Sequence, residues 1–234
     1  MKKIKLNIGS GFHFSPGFIS VDGYITKEQM LQLYGSKIPK GADFVQGKVQ
    51  DLPFGNNYAD YIETIDMIEH LPMADLTRAF SEMYRVLKPG GMLRIVTTSF
   101  DDVVKSWLDA SRELTEMVML GEDYSKVFDE TYSDTSWETI AKKRVNLAMM
   151  VIYGNQFHGG ELHMNAFTPA IMSIYLRNAG FKKEKIKLIV HTKGSLAPTL
   201  PAAPKMATNS SLVNDTIVAE AIKGTKKPID KWKA

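Results

Sequence analysis

The chain has 234 residues, 44% of them apolar, and a formal net charge of +3 from 29 basic and 26 acidic side chains. That is enough apolar content for the packed core of one α/β domain with an insertion, and too little net charge to mark a nucleic-acid partner. The absence of cysteine excludes a disulfide framework, a thiolate nucleophile and cysteine metal ligation.

Lys2, Lys3 and Lys5 imitate the basic start of a signal peptide, yet no apolar core of adequate length follows, and no apolar run elsewhere is long enough to cross a bilayer. The expectation is a soluble, cytoplasmic protein with no membrane partner. Leu6-Asn7-Ile8-Gly9-Ser10-Gly11, followed by Phe18-Ile19-Ser20-Val21-Asp22, reads as strand, glycine turn, second strand and acidic tip. The glycines let the backbone turn sharply against a ligand, and a carboxylate ending the next strand can accept hydrogen bonds from a ribose diol. Between Gly11 and Asp22 there is room only for a short turn.

Thr26 to Tyr34 has a helical pattern, with Met30, Leu31 and Leu33 as its apolar positions. From Phe44 to Phe54 a short apolar strand runs into a polar turn and then Leu52-Pro53-Phe54, and Tyr61 to Leu71 is a further strand whose end is rich in ionisable groups. Ala74 to Leu87 is a helix, because Leu76, Ala79, Phe80, Met83 and Leu87 recur at helical spacing until Pro89-Gly90-Gly91 stops the run and another strand follows. This alternation is that of parallel strands joined by crossover connections.

From Asp101 to about Met164 the strand rhythm gives way to helical stretches. Val103, Val104, Trp107 and Leu108 form one apolar face, and Ile140, Val145, Leu147, Ala148 and Met149 suggest another. An insertion there would lie over the carboxyl ends of the strands, as a lid or substrate platform. Met117, Met119, Trp137, Met149, Met150 and Tyr153 are expected in its core. Thr168-Pro169 starts a helix that ends at Asn178-Ala179-Gly180, Phe181 to His191 reads as a strand, and Thr216 to Ile222 as the last one. Ser195 to Ser211 is expected as a long loop, and Lys223 to Ala234 as a frayed, lysine-rich tail. There is no internal repeat.

In this order the glycine turn, the Leu-Pro-Phe turn, the Glu69-His70 pair and Leu87-Lys88-Pro89-Gly90-Gly91 resemble the class I S-adenosylmethionine-dependent methyltransferases, over roughly Lys3 to Thr98. The resemblance implies an α/β fold of doubly wound, Rossmann-like type, with a mostly parallel seven-stranded sheet and a helical insertion after the fifth strand, all in one domain. It also implies S-adenosylmethionine as cofactor and S-adenosylhomocysteine as product. Gly9, Ser10 and Gly11 would face the methionine end, Asp22 the ribose, and Gly23, Lys48, Val49 and Asp51 the adenine, while Ile65 and Asp66 end the strand beside the cofactor. The chain departs from the family's plan in three places. A full helix usually separates the first two strands, Asn7 stands where the family usually has an acidic residue, and Lys48 stands where an acidic residue usually meets the adenine amino group. An amide can still accept a hydrogen bond, whereas a lysine cannot. For Asp51 two readings stand, a substitute adenine contact or ordinary turn chemistry.

Methyl transfer is an in-line displacement on an activated methyl group, so alignment and water exclusion are the enzyme's main tasks, and a base is needed only if the acceptor must lose a proton. His70, His163 and Asp66 are the candidates at the acceptor end, with a role for Glu69 and His70 in capping or bracing the next helix as the alternative. Phe157 to Asn165 holds His158, Glu161 and His163 on a Gly159-Gly160 turn, where the side chains have no fixed common face; a substrate-site role and loop packing both stand ahead of a metal site. The sequence therefore reads as a methyltransferase acting on a small-molecule or sugar-containing acceptor. The alternatives are a cofactor-binding module of the same fold without transferase activity, and an NAD-dependent oxidoreductase, which the missing third glycine after Gly11 disfavours.

Overall fold

A computed structural model describes residues 3–12, 15–34, 42–105, 108–109, 152–154, 162–191 and 216–225. Seven strands form one sheet: β1 (Lys5–Ile8), β2 (Ile19–Asp22), β3 (Asp43–Gln46), β4 (Ala59–Ile65), β5 (Leu87–Thr98), β6 (Ile186–His191) and β7 (Thr216–Ile222). Their order is β3-β2-β1-β4-β5-β7-β6. β1 to β5 pair in parallel, and β7 inserts antiparallel to both β5 and β6. The sheet is thus mostly parallel, with the order reversing at β1, between β2 and β4. In such sheets ligands bind outside the carboxyl ends of the strands at the reversal.

Helices with both ends described are α1 (Lys27–Tyr34), α2 (Met73–Val86) and α3 (Pro169–Ala179). Thr26 and Gln29 close a capping box on α1, with Thr26 Oγ1 accepting from Gln29 N at 3.2 Å and Gln29 Oε1 accepting from Thr26 N at 2.8 Å. Met30 turns inward, whereas Leu31, expected on the same apolar face, is exposed. Thr168 Oγ1 caps α3 by accepting from Ile171 N, with proline in the first turn as the sequence indicates. In α2 the stripe Leu76, Ala79, Phe80, Met83 and Val86 is fully buried, and Phe80 stacks on Tyr175 of α3 at 5.2 Å.

Several expected boundaries shift. α2 stops at Val86 rather than Leu87, because Leu87 already has extended backbone and begins β5, so the Lys88-Pro89-Gly90-Gly91 turn lies inside a strand edge instead of after a helix. The stretch from Phe181 opens with a single turn at Lys183–Lys185, and strand begins only at Ile186. No helix joins β1 to β2 among the described residues. Most of the expected insertion lies outside the described residues: residues 100–105 are helical with Val103 buried, while Leu108 and Tyr153, expected in its apolar packing, are half exposed. Trp107 and the second apolar face also lie outside them, as do Met117, Met119, Trp137, Met150, the Ser195 to Ser211 segment and residues 226–234.

Lys223 is the clearest correction. Assigned to the frayed tail by its composition, it is 8% exposed, with its backbone paired to Gly90 and Gly91. Its ammonium donates to the carbonyls of Tyr84 and Leu87 and to Asn57 Oδ1 at 2.7–2.9 Å, satisfying acceptors at the end of α2. Lys223→Met would strand these buried acceptors, and denaturant unfolding should show a loss of about 2 kcal/mol. A change below about 0.5 kcal/mol would mean that water serves them as well.

A second clamp fixes the Leu-Pro-Phe turn. Arg85 donates to the carbonyls of Leu52 and Phe54 and is paired with Glu82, whose Oε2 accepts from Leu52 N at 3.0 Å. The Arg85 guanidinium beside Glu82 holds the Glu82 carboxyl below its ordinary value. The turn after β3 is therefore held to α2 by charged hydrogen bonds.

Candidate active site

The glycine turn leaves β1 at Gly9, whose N–H, like that of Ser10, donates to the carbonyl of Val21 in β2. Gly9 has φ +70, and a Cβ there would stand 2.0 Å from Met67 Cγ. Only glycine satisfies both conditions, because the left-handed region disfavours a side chain and the Met67 side chain fills its space. The turn is thereby packed against the chain just after β4. Gly11 is also left-handed, at φ +52, and its side-chain direction is open space.

Asp22 ends β2, is 8% exposed, and is engaged more heavily than its sequence role suggests. Its Oδ2 accepts from Gly11 N at 2.9 Å, and its Oδ1 accepts from Tyr24 N at 2.8 Å and Ile25 N at 3.0 Å. A carboxylate has about four acceptor positions, and three of Asp22's are taken by these described donors. Asp22 therefore organises both turns through its own side chain. Asn7 is buried in β1 beside Ser20 and Glu63.

On the far side of Asp22, Gly47 N donates to the Asp22 carbonyl, and Lys48 and Asp51 form a small bridge in which Asp51 N donates to Lys48 O. A Cβ on Gly23 would meet Lys48 Cγ at 2.9 Å, so the turns after β2 and β3 touch here. The side chains of Lys48 and Asp51 are exposed and Val49 is buried. Tyr24 points outward and is well exposed.

β4 ends at Ile65, and Asp66, with φ +46, bends the chain into a single helical turn, Ile68–His70. A non-glycine residue in this region costs on the order of 1 kcal/mol or more, which the surrounding contacts must sustain. Asp66 keeps accessible surface, yet protein crowds the carboxyl and pushes it above its ordinary value; the open surface limits that effect. Glu69 differs. It is 3% exposed, and burial first, then the charge of Asp66, pushes its carboxyl up to about 8. Among the described residues its Oε2 has no partner at hydrogen-bond geometry, while the neighbouring Thr97 hydroxyl offsets part of the rise.

His70 and His163, far apart in the chain, come together with ring centroids 4.7 Å apart and edge to face. His70 Nδ1 lies 3.1 Å from the carbonyl oxygen of Leu162. The segment carrying His163 is fixed by backbone bonds, with His163 N donating to Tyr153 O and both Met164 N and Asn165 N donating to Glu69 O. Asn165 Nδ2 also donates to the carbonyl of Leu71. A small cleft opens between Glu69, Thr97, Phe100, His163, Asn165 and Phe167.

The helix-capping reading of Glu69 and His70 does not hold, because α2 begins at Met73 with Pro72 as its N-cap and no side-chain cap, and what His70 braces is the loop at Leu162. The structure thus brings His70 and His163 together and adds Glu69, which sequence reasoning left as a bracing residue; its signal was an acidic residue inside an otherwise buried Ile-Glu-His-Leu stretch. His158 and Glu161 lie outside the described residues.

This sheet order, with its glycine turn and β2 acid, is that of nucleoside-cofactor enzymes. Residues 8–95 match the family described as "Methyltransferase domain". The fold is shared with an S-adenosylmethionine-dependent methyltransferase from Methanosarcina mazei, at a TM-score of 0.55 and 16% identity over 96% of this chain and 94% of that one. It is also shared with human N-acetylserotonin methyltransferase solved with S-adenosylmethionine, at 0.51 and 13% over 95% of this chain and 48% of that one. Demethylmenaquinone methyltransferase of Listeria welshimeri is 29% identical over 127 residues, 51% of this chain and 52% of that protein. Over residues 8–95 the chain is similar to this methyltransferase family, and its fold is that of the class I S-adenosylmethionine-dependent methyltransferases. It spans about half the length of the curated relatives it matches.

S-adenosylmethionine is the cofactor of this class. The residues present fit it: no described atom stands within 4 Å of a Cβ built on the left-handed Gly11, and the Asp22 carboxylate borders the same turn. Bound there, it would supply an activated methyl group, and the chain the surfaces that align and shield it. No helix among the described residues is long and apolar enough to cross a membrane.

Proposed function

We propose that the chain transfers a methyl group from S-adenosylmethionine to a small-molecule acceptor, with sugar-containing metabolites among the candidates. Gly9, Ser10 and Gly11 bind the methionine end, Asp22 takes a ribose hydroxyl, and Gly23, Lys48, Val49 and Asp51 border the adenine through the turns after β2 and β3. Ile65 and Asp66 flank the cofactor, and His70 and His163 meet the acceptor. The observation that carries this reading is the contact of Gly9 with Met67. It sets the glycine turn directly beside the segment that runs from Asp66 into the Glu69, His70 and His163 cluster, so cofactor and acceptor groups adjoin.

The small-molecule acceptor is supported by the near-balanced charge and by the relatives, one of which is named for demethylmenaquinone. The test is release of S-adenosylhomocysteine from S-adenosylmethionine by the full chain, incubated with a panel of phenols, quinols and sugar derivatives. Turnover with at least one acceptor is expected, and His70→Ala or His163→Ala should lower it by roughly 10²-fold or more with cofactor affinity nearly unchanged. Cofactor binding without turnover across the panel would favour a binding module of the same fold.

A further inference from the structure

Glu69, His70 and His163 each offer one donor atom, and the three atoms all lie within 4.8 Å of one another. Two imidazoles and a carboxylate are a donor set of zinc enzymes, in which a water or substrate atom takes the remaining position. Tetrahedral bonds to such ligands place the donors about 3.3 Å apart, so closure on an ion requires shifts of about 1.5 Å at most, within reach of side-chain rotation. Magnesium and calcium, which prefer oxygen, suit the set less well.

Two independent observations point the same way. The first is Glu69 Oε2, an oxygen of a 3% exposed side chain that has no partner at hydrogen-bond geometry among the described residues. An uncompensated buried acceptor of this kind is costly, and a cation beside it removes the cost. The second is the bond between His70 Nδ1 and the Leu162 carbonyl. A carbonyl only accepts, so Nδ1 carries a proton, and in the neutral ring the lone pair is then on Nε2. Metal-binding histidines are oriented in this way, by donating their other N–H to a backbone carbonyl or carboxylate.

The scaffold is prepared as well. Glu69 O accepts from Met164 N at 2.8 Å and Asn165 N at 3.1 Å, which locks the His163 segment onto the turn that carries Glu69 and His70. Simple packing accounts for the edge-to-face imidazoles but does not by itself gather a buried carboxyl and two imidazoles within 4.8 Å of one another.

We propose that Glu69, His70 and His163 form a binding site for one divalent transition-metal ion, zinc by its donor set, with a coordination position open to the adjoining cleft. An oxygen or sulfur donor of the methyl acceptor is the ligand class that would take that position, and this last role rests on the methyl-transfer reading above. The test uses the full, untagged chain after chelation and dialysis. Titration with zinc chloride should show one ion bound per chain, and cobalt(II) should give the visible absorption of a low-symmetry four- or five-coordinate site. Glu69→Gln and His163→Gln, which preserve size, should weaken zinc by more than the ~10–100-fold that loss of an outer-shell partner costs. S-adenosylhomocysteine affinity, measured in parallel, should stay unchanged and so report that both variants are folded. No zinc binding by the parent chain, or binding equally tight in both variants, overturns the site. Zinc bound at the cluster without S-adenosylhomocysteine binding upholds the site and removes the methyl-transfer reading alone.

Discussion

Asp22→Ala should weaken S-adenosylhomocysteine binding by about 2 to 4 kcal/mol, or roughly 30-fold to 1000-fold. Two losses add. The ribose hydroxyl loses a charged acceptor, and three backbone N–H groups, those of Gly11, Tyr24 and Ile25, lose the carboxylate that orders both turns around the cofactor. The second loss has its own signature: the variant should be less stable even without ligand, because a largely buried residue releases its donors. Calorimetry on both proteins, with thermal unfolding in the absence of ligand, separates the two contributions. Unchanged affinity in a folded variant would remove Asp22 from the ribose site.

Gly9→Ala should destabilise the fold by about 4 kcal/mol, the sum of a side chain forced into the left-handed region and an overpacked contact. The contact is specific, since the new Cβ would stand 2.0 Å from Met67 Cγ and 2.6 Å from Met67 Cβ. Shortening the partner should therefore relieve part of the loss. The double variant Gly9→Ala with Met67→Ala should be less destabilised than the sum of the two single changes, by about 1 kcal/mol or more in denaturant unfolding. Strict additivity would show that Met67 moves aside freely and that backbone strain alone makes Gly9 necessary.

What the sequence revealed and what it hid follow from the range of the forces involved. The strand-turn-strand unit around Gly9 and Asp22 was legible because it is local: glycine spacing, a short turn and an acidic tip lie within one stretch of chain. α2 was legible because Leu76, Ala79, Phe80 and Met83 repeat at helical spacing, and its end was misplaced by one residue because Leu87 is apolar in either role. Lys223 was misread because a lysine among lysines looks solvated; only the fold brings it to the carbonyls of Tyr84 and Leu87.

The candidate site divides in the same way. Asp22, His70 and His163 could be singled out one at a time, but nothing local links His70 to His163, which the chain separates widely and the fold brings to 4.7 Å between ring centroids. Glu69 was assigned to bracing because an acidic residue beside a helix start commonly does that. Its burial depends on Thr97 and the 162–165 segment arriving from two other parts of the chain. Likewise, the sequence shows that Asp22 can accept hydrogen bonds, but not that three of its positions are already taken by its own neighbours.

Calorimetric titration of the full chain with S-adenosylhomocysteine, and with NAD as the competing nucleoside cofactor, tests the cofactor site most directly. One S-adenosylhomocysteine bound per chain, abolished or strongly weakened by Asp22→Ala, with no heat from NAD, is the predicted result. NAD binding, or failure of the folded chain to bind S-adenosylhomocysteine, would contradict it.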